Sequence, residues 1–140
     1  MNMTPTRTED RVLDRALLDI LLDVFRRMIE VGAEIYRVEE AIDRVRVAYG
    51  ARRTEAYATT SHIVVSAETE EGVTLTDTRR IRSTHTDIEQ LDRLNSLVRH
   101  LCNAHPPRAE IEKALAEIAT VKAYPAYLTI LSYGIVAAVF

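Results

Sequence analysis

The sequence predicts an α+β fold in which a helical layer covers a small antiparallel β-sheet and an apolar helix follows at the C-terminus. Three pattern changes along the 140 residues lead to this prediction. Apolar residues first recur with helical period up to Gly50. β-Branched residues then alternate with polar ones between residues 53 and 82, and helical period returns from residue 88. A small sheet alone is marginal in water, so the helices must supply the missing burial.

The composition fits one globular domain, since the chain is 47% hydrophobic and 28% charged. A net charge of −3 and a pI of about 5.8 argue against a nucleic-acid partner, which calls for a basic surface. The single cysteine, Cys102, excludes an internal disulfide and fits a reducing compartment. Residues 1–7 are predicted to be a disordered tail, and no signal peptide is expected.

The first helix is predicted to begin after Thr8 as N-cap, with Glu9 and Asp10 in its first turn. Gly32 is expected to end it, because glycine takes a positive φ at little cost. Its apolar positions cover more than one narrow face, so we expect it to be buried on several sides or covered by a partner chain. These positions are Leu13, Leu17, Leu18, Ile20, Leu21, Leu22, Val24, Phe25, Met28 and Val31.

A second helix is predicted between Gly32 and Gly50, and its start carries unusual charges. Counting 100° per residue places Glu34 in the first turn near the centre of the apolar face, with Arg37 and Glu39 on its flanks. An acid there is ordinarily stabilised by the helix dipole, by about 0.3–1 kcal/mol. The alternative is an acid held at the core edge to serve a site, with Arg37 in reach at i,i+3. The apolar stripe consists of Val38, Ala41, Ile42, Val45, Ala48 and Tyr49.

Three short strands are predicted next. Residues 53–59 alternate in polarity, and residues 62–69 are rich in β-branched side chains. Residues 70–72 are a turn signal, and residues 73–81 return as a further strand. The last two strands should form a hairpin, and all three an antiparallel sheet within residues 53–82.

Two more helices are predicted after the sheet. Thr86-x-x-Glu89 has the pattern of a capping box that opens the third helix. Pro106 and Pro107 end it and begin the fourth, since proline costs little at a first helical position. The predicted buried positions are Ile88, Leu91, Leu94, Leu97, Val98 and Leu101 in the third helix, and Ile111, Ala114, Leu115, Ile118 and Val121 in the fourth.

Residues 124–140 contain no charged side chain. As a helix, residues 126–140 would be about 22 Å long, whereas a full membrane span needs about 20 residues. Tyr124 and Tyr127 lie where an interfacial aromatic belt would begin. Two interpretations follow: a helix that docks into the domain's own core, or the start of a transmembrane helix within which the chain is truncated. The missing charges favour the second.

No catalytic motif is recognisable, so no enzyme, metal site or cofactor is predicted. His100 and Cys102 diverge by about 200° on a helix, so they are not expected to share a metal with His105. We interpret these histidines as surface groups. Ser61 and His62 are neighbours, but a nucleophile also needs an orienting acid, and a polar β-edge is the favoured interpretation.

A basic cluster of Arg79, Arg80 and Arg82 ends the last predicted strand. Arginine binds carboxylates through two parallel hydrogen bonds, so the cluster, with Arg79 as its candidate residue, could take an anionic ligand or a partner's acidic helix. More often such a run is a solvated strand end that pairs with local acids such as Asp77.

The stretch G-A-E-x-x-R-V-E at residues 32–39, followed by a helix that ends in Y-G, resembles the N-terminal domain of the threonine/serine exporter family. The similarity extends from about Leu17 to the end of the chain. It includes the Thr-Thr pair at residues 59–60, the T-R-R-I stretch at residues 78–81 and the apolar run that opens near Tyr124.

This resemblance implies a multi-pass protein of the inner (plasma) membrane that exports small amino acids or related carboxylates as a homo- or hetero-oligomer. It implies that residues 8–122 form a cytosolic domain and that residues 123–140 begin a transmembrane helix. Glu34, Arg37 and Glu39 are motif residues in this picture. Arg37 would hold a substrate carboxylate while a glutamate meets the ammonium group, or the three residues would only gate the route or stabilise the fold.

Two other functions remain open from the residues alone. One is a soluble α+β ligand-binding or hydrolase-like domain that uses Glu34 as general acid or base, which requires a raised glutamate pKa and a cleft. The other is an assembly module whose apolar first helix pairs with another chain. Apolar coding sequence beyond Phe140 would favour transport, and a stop codon there would favour the soluble functions.

Overall fold

The computed structural model describes residues 12–121, and it confirms the α+β class. The elements in chain order are α1 (Arg15–Glu30), α2 (Ile35–Ala48), β1 (Arg53–Ala58), β2 (His62–Glu68), β3 (Thr74–Arg80), α3 (Ile88–Ala104) and α4 (Arg108–Ala119). Within this part of the chain, no helix combines the length and apolarity needed to cross a bilayer. The predicted tail of residues 1–7 and the apolar run of residues 124–140 lie outside the described residues.

The sheet has the order β1-β2-β3, with both pairs antiparallel, as the alternating pattern predicts. Ile63, Val65 and Ala67 of the central strand are buried, because strand side chains alternate between faces and this face packs against α1 and α2. Register places Arg79 opposite Ile63 and Asp77 opposite Val65. Two charged side chains of an edge strand therefore share the core-facing side of the sheet.

Helix α1 is the centre of the core. Its buried side chains point in several directions, because the sheet, α2, α3 and α4 all pack against it. This confirms the expectation that the first helix is covered on more than one side, and other elements of the same chain provide that cover. The buried positions of α1 are Leu17, Leu18, Ile20, Leu21, Leu22, Val24, Phe25, Met28 and Ile29.

The starts of the helices differ from the prediction. Helix α1 begins at Arg15 rather than after Thr8, because the Asp14 carboxylate accepts the backbone N–H of Leu17 at 2.8 Å. Helix α3 is capped by Asp87, which accepts the N–H of Gln90 at 3.0 Å, so the predicted capping box with Thr86 is one residue out of register. Ile88 consequently faces solvent with 76% of its surface exposed.

The glycine predictions are confirmed, since Gly32 and Gly50 adopt φ of +102° and +69° after the first two helices. The third helix ends differently. His105 adopts the left-handed conformation at φ +44°. Its ring packs edge-to-face against the Tyr49 ring, with 5.4 Å between the ring centroids. Its Nε2 is buried, so the prediction of a surface histidine is wrong at this position. Pro107 is the N-cap of α4 rather than its first helical residue.

Candidate functional site

Glu34 lies just before α2 rather than in its first turn. The chain leaves α1 through a tight turn in which the N–H of Ala33 donates to the Met28 carbonyl at 2.9 Å. Glu34 then adopts an extended conformation as the N-cap, and its side chain makes no capping hydrogen bond. Its side chain is 64% exposed. The predicted position near the centre of the apolar face is therefore wrong. The helical rotation of 100° per residue applies only from Ile35 onward, because the backbone of Glu34 is extended.

Arg37 joins Glu34 at the solvent-exposed start of α2. Its Nε donates to Glu34 Oε2 at 3.3 Å and to the Tyr36 hydroxyl at 3.2 Å. The hydrogen bond with Tyr36 and then the one with Glu34 raise the pKa of Arg37, which stays a cation. Among the described residues, Nη1 and Nη2 of Arg37 have no hydrogen-bond partner. The guanidinium therefore keeps its carboxylate-binding edge free.

Glu39 is not part of this pair. It lies half-buried two residues beyond Arg37, which turns it to another side of the helix. No hydrogen bond or ion pair joins it to another residue of the described part of the chain. The structure thus brings Glu34 and Arg37 together and leaves Glu39 apart.

Arg79 occupies a different place, between the edge strand β3 and α1. Its Nε donates to Asp23 Oδ1 at 3.1 Å, and its Nη1 donates to Asp77 Oδ2 at 3.1 Å and to the Thr78 carbonyl at 2.9 Å. Its Nη2 donates to the Asp19 carbonyl at 3.2 Å and forms an ion pair with the Asp19 carboxylate. All five N–H donors of this guanidinium therefore have partners within the domain.

The electrostatics of this cluster match a structural role. Burial acts to lower the pKa of Arg79, but the hydrogen bonds to Asp23, Asp77 and Asp19 raise it above its ordinary value. The backbone N–H of Thr78, at 2.8 Å, lowers the pKa of Asp77, and Arg79 lowers it further against the opposing effect of burial. Asp77 is the local acid named as Arg79's partner from sequence; the two aspartates of α1 are additional.

Ser61 and His62 do meet in the turn between β1 and β2. Ser61 Oγ lies 3.0 Å from His62 Nδ1, and Thr59 Oγ1 lies 3.4 Å from the same nitrogen. Ser61 and His62 are exposed and Thr59 is half-buried, and within residues 12–121 no carboxylate hydrogen-bonds to the histidine. The orienting acid that nucleophilic catalysis needs is not supplied by the described residues.

Nor does the described part of the chain hold a metal-ligand cluster of His, Cys, Asp and Glu. His100 Nε2 instead lies 2.8 Å from Glu110 Oε1, which joins α3 to α4. Cys102 is half-buried, and burial raises the pKa of its thiol, while the nearby charge of Arg44 acts to lower it.

One buried polar contact was missed at the level of sequence. Gln90, only 5% exposed, accepts Arg27 Nη2 at 2.9 Å and donates its Nε2 to the Val121 carbonyl at 3.1 Å. The sequence pattern could have predicted that Gln90 is buried, because Gln90 precedes Leu94 and Leu101 at helical spacing and so lies on the same helix face. A buried amide at such a position requires partners.

Together these features define a small α+β domain with an exposed glutamate–arginine pair, followed by a long uncharged segment. The family model of the threonine/serine exporters (ThrE) matches residues 19–140. The chain belongs to this family. Membership implies a membrane exporter of threonine/serine type, with a transported substrate and a membrane location. None of the curated proteins or solved structures compared with the chain matches it.

Proposed function

We propose that residues 8–122 are the cytosolic domain of a plasma-membrane exporter of small amino acids or related carboxylates, and that residues 123–140 begin its first transmembrane helix. The family match supports this proposal because it continues through residue 140. The absence of charge in residues 124–140 also supports it. A homo- or hetero-oligomer is part of the proposal, as is the single reduced cysteine of a cytosolic domain.

The observation that carries a substrate contact is the free edge of Arg37 beside Glu34. A zwitterionic amino acid presents a carboxylate and an ammonium group close together. The two terminal nitrogens of Arg37 suit the carboxylate in a bidentate arrangement, and the Glu34 carboxylate, 3.3 Å from Nε, suits the ammonium. Arg79 lacks this capacity while its donors are engaged with three aspartates.

This chemistry assigns different tasks to the predicted residues. Glu34 and Arg37 meet the substrate at the solvent-exposed start of α2. Glu39, half-buried and further along the helix, would act only on a substrate that reaches past Arg37. A solute without charged groups could not replace the ion pair between Glu34 and Arg37 by ion pairs of its own. The proposal therefore favours amino acids and carboxylates.

Amino-acid efflux from cells that produce the natural protein tests the proposal. Losing a hydrogen bond to a charged group costs about 1.5–3 kcal/mol, so Glu34→Gln and Arg37→Gln should each reduce threonine or serine efflux by about 10- to 100-fold. Protein level and membrane insertion should stay normal, since both side chains are exposed. Asp43→Asn is the matched control, because Asp43 is 67% exposed on the same helix and also pairs with an arginine, Arg46.

Two outcomes would count against the substrate contact. Unchanged efflux at normal expression would remove Glu34 and Arg37 from the substrate route. A loss of efflux that scales with a loss of protein, and that Asp43→Asn reproduces, would identify the ion pair as a stabilising contact of the helix surface.

A further inference from the structure

Four helix ends meet at one end of this domain, which we name the exit end. It comprises the end of α1, the starts of α2 and α3, and the end of α4. Two backbone hydrogen bonds join the end of α1 to the start of α3, from the N–H of His85 to the Glu30 carbonyl at 2.8 Å and from the N–H of Asp87 to the Val31 carbonyl at 3.0 Å, and α2 follows α1 through a tight turn. A Cβ on Gly32 would lie 3.2 Å from the His85 carbonyl oxygen, which shows how closely these segments pack.

Gln90 adds the end of α4 to this group. Its buried amide donates to the carbonyl of Val121 and accepts a hydrogen bond from Arg27 of α1, so the last described residue lies at the exit end. Tyr124 follows Val121 by only three residues in the sequence. The uncharged run of residues 124–140 therefore begins, in the sequence, just after the end of α4.

The exit end also exposes side chains suited to a membrane surface. Ile88, the first residue of α3, is 76% exposed, and Tyr36, in the first turn of α2, is 60% exposed. Arg37 lies beside Tyr36 with its Cζ 5.7 Å from the ring centroid. Tyrosine, arginine and a protruding aliphatic residue are the combination that the headgroup region of a bilayer accommodates.

We propose that the exit end faces the bilayer, with Ile88 and Tyr36 in contact with the lipid headgroup region. This inference rests on the proposed function, because it requires the apolar run to enter a membrane. The Glu34–Arg37 pair then lies at the membrane surface, within reach of the point where the chain enters the bilayer. A substrate held by this pair is thereby presented at the mouth of the transport route rather than in bulk cytosol.

Fluorescence quenching in reconstituted vesicles tests the orientation. The natural protein, with Cys102 replaced by serine, would carry a single cysteine through Tyr36→Cys, Ile88→Cys or Val47→Cys, labelled with an environment-sensitive fluorophore. Val47 is the matched control, because it is 65% exposed on the same helix as Tyr36 and about 16 Å further along it. The vesicles contain phosphatidylethanolamine, phosphatidylglycerol and a phospholipid spin-labelled at its headgroup.

Labels at positions 36 and 88 should be quenched at least about twofold more strongly than the label at position 47. Equal quenching at all three positions, or stronger quenching at position 47, would overturn the proposed orientation. If the protein floats with the vesicles while positions 36 and 88 stay unquenched, the orientation fails and the exporter proposal stands. If the protein does not float with the vesicles, the proposed membrane function itself fails.

Discussion

Replacement of Arg79 by glutamine separates a structural arginine from a substrate-binding one. The substitution removes five N–H donors and three ion pairs, and it leaves the carboxylates of Asp19, Asp23 and Asp77 without their shared cation. The arginine side chain is 20% exposed but its partners are between 25% and 57% exposed, so each pair contributes only about 0.2–1 kcal/mol. The middle of that range for each pair, with about 0.5 kcal/mol for each of the two exposed hydrogen bonds to backbone carbonyls, gives an expected destabilisation of about 2–3 kcal/mol.

The assay is thermal unfolding of residues 1–121, whose buried core lies within the described residues. A loss of 2–3 kcal/mol should lower the Tm by about 10 °C in a domain of this size. Arg80→Gln is the control, because Arg80 is exposed on the same strand and its removal changes the net charge equally. It should shift the Tm by less than about 2 °C, since surface substitutions are usually within about 0.5 kcal/mol.

The pH dependence of the Arg79 effect has a definite sign. The pKa of Asp77 is lowered in the folded state, first by the Thr78 N–H and then by Arg79. Its stabilising contribution is therefore fully present above the unfolded pKa of about 4 and is lost as the pH falls through the lower folded pKa. The stability difference between the natural chain and Arg79→Gln should be largest near neutrality and should narrow below about pH 4.

One result would refute this reasoning. If Arg79→Gln leaves the Tm and its pH dependence unchanged while efflux by the natural protein falls sharply, Arg79 acts on substrate, and its pairing with three aspartates contributes little to the fold. A parallel loss of Tm, protein level and efflux would confirm the structural role.

Two further predictions concern the backbone and the apolar run. Gly72→Ala should lower the free energy of unfolding by about 1–2 kcal/mol, because φ is +84° and the space around the new Cβ is open. Gly32→Ala should lower it by at least about 1 kcal/mol more, because its Cβ would also meet the His85 carbonyl oxygen. Urea unfolding measures both values, and equal losses would contradict the close packing of Gly32 against His85. Deletion of residues 124–140 should leave a folded, non-aggregating domain by circular dichroism and gel filtration; unfolding would show that the apolar run belongs to the core.

Local pattern was sufficient for most of the fold. The three strands were predicted within a residue or two, because alternation and β-branching depend only on neighbouring positions. The positive φ of Gly32 and Gly50 follows equally from local chemistry. The apolar stripes of α1 and α2 also identified their buried residues, since the helical repeat fixes which positions share a face.

Helix starts were less predictable because several nearby residues can cap. Thr86 and Asp87 are both good N-cap residues. Asp87 is the N-cap in the structure, and its backbone N–H donates a hydrogen bond to the Val31 carbonyl in another part of the chain. Glu34 was predicted to lie in the first turn of its helix, but it is the N-cap. The turn after α1 extends as far as Ala33, whose N–H donates to the Met28 carbonyl, so the helix begins only after Glu34. One residue of register moved Glu34 from a core face to solvent.

The sequence determined the local elements, the glutamate–arginine motif at the start of α2 and the family resemblance that the comparison confirmed. Only the tertiary structure decided which charges meet. Arg79 reaches Asp19 and Asp23 across 60 and 56 residues of chain, and Gln90 reaches Val121 across 31. The physical reason is that ion pairs and buried amide contacts depend on how helices lie against the sheet, and no residue period encodes that arrangement.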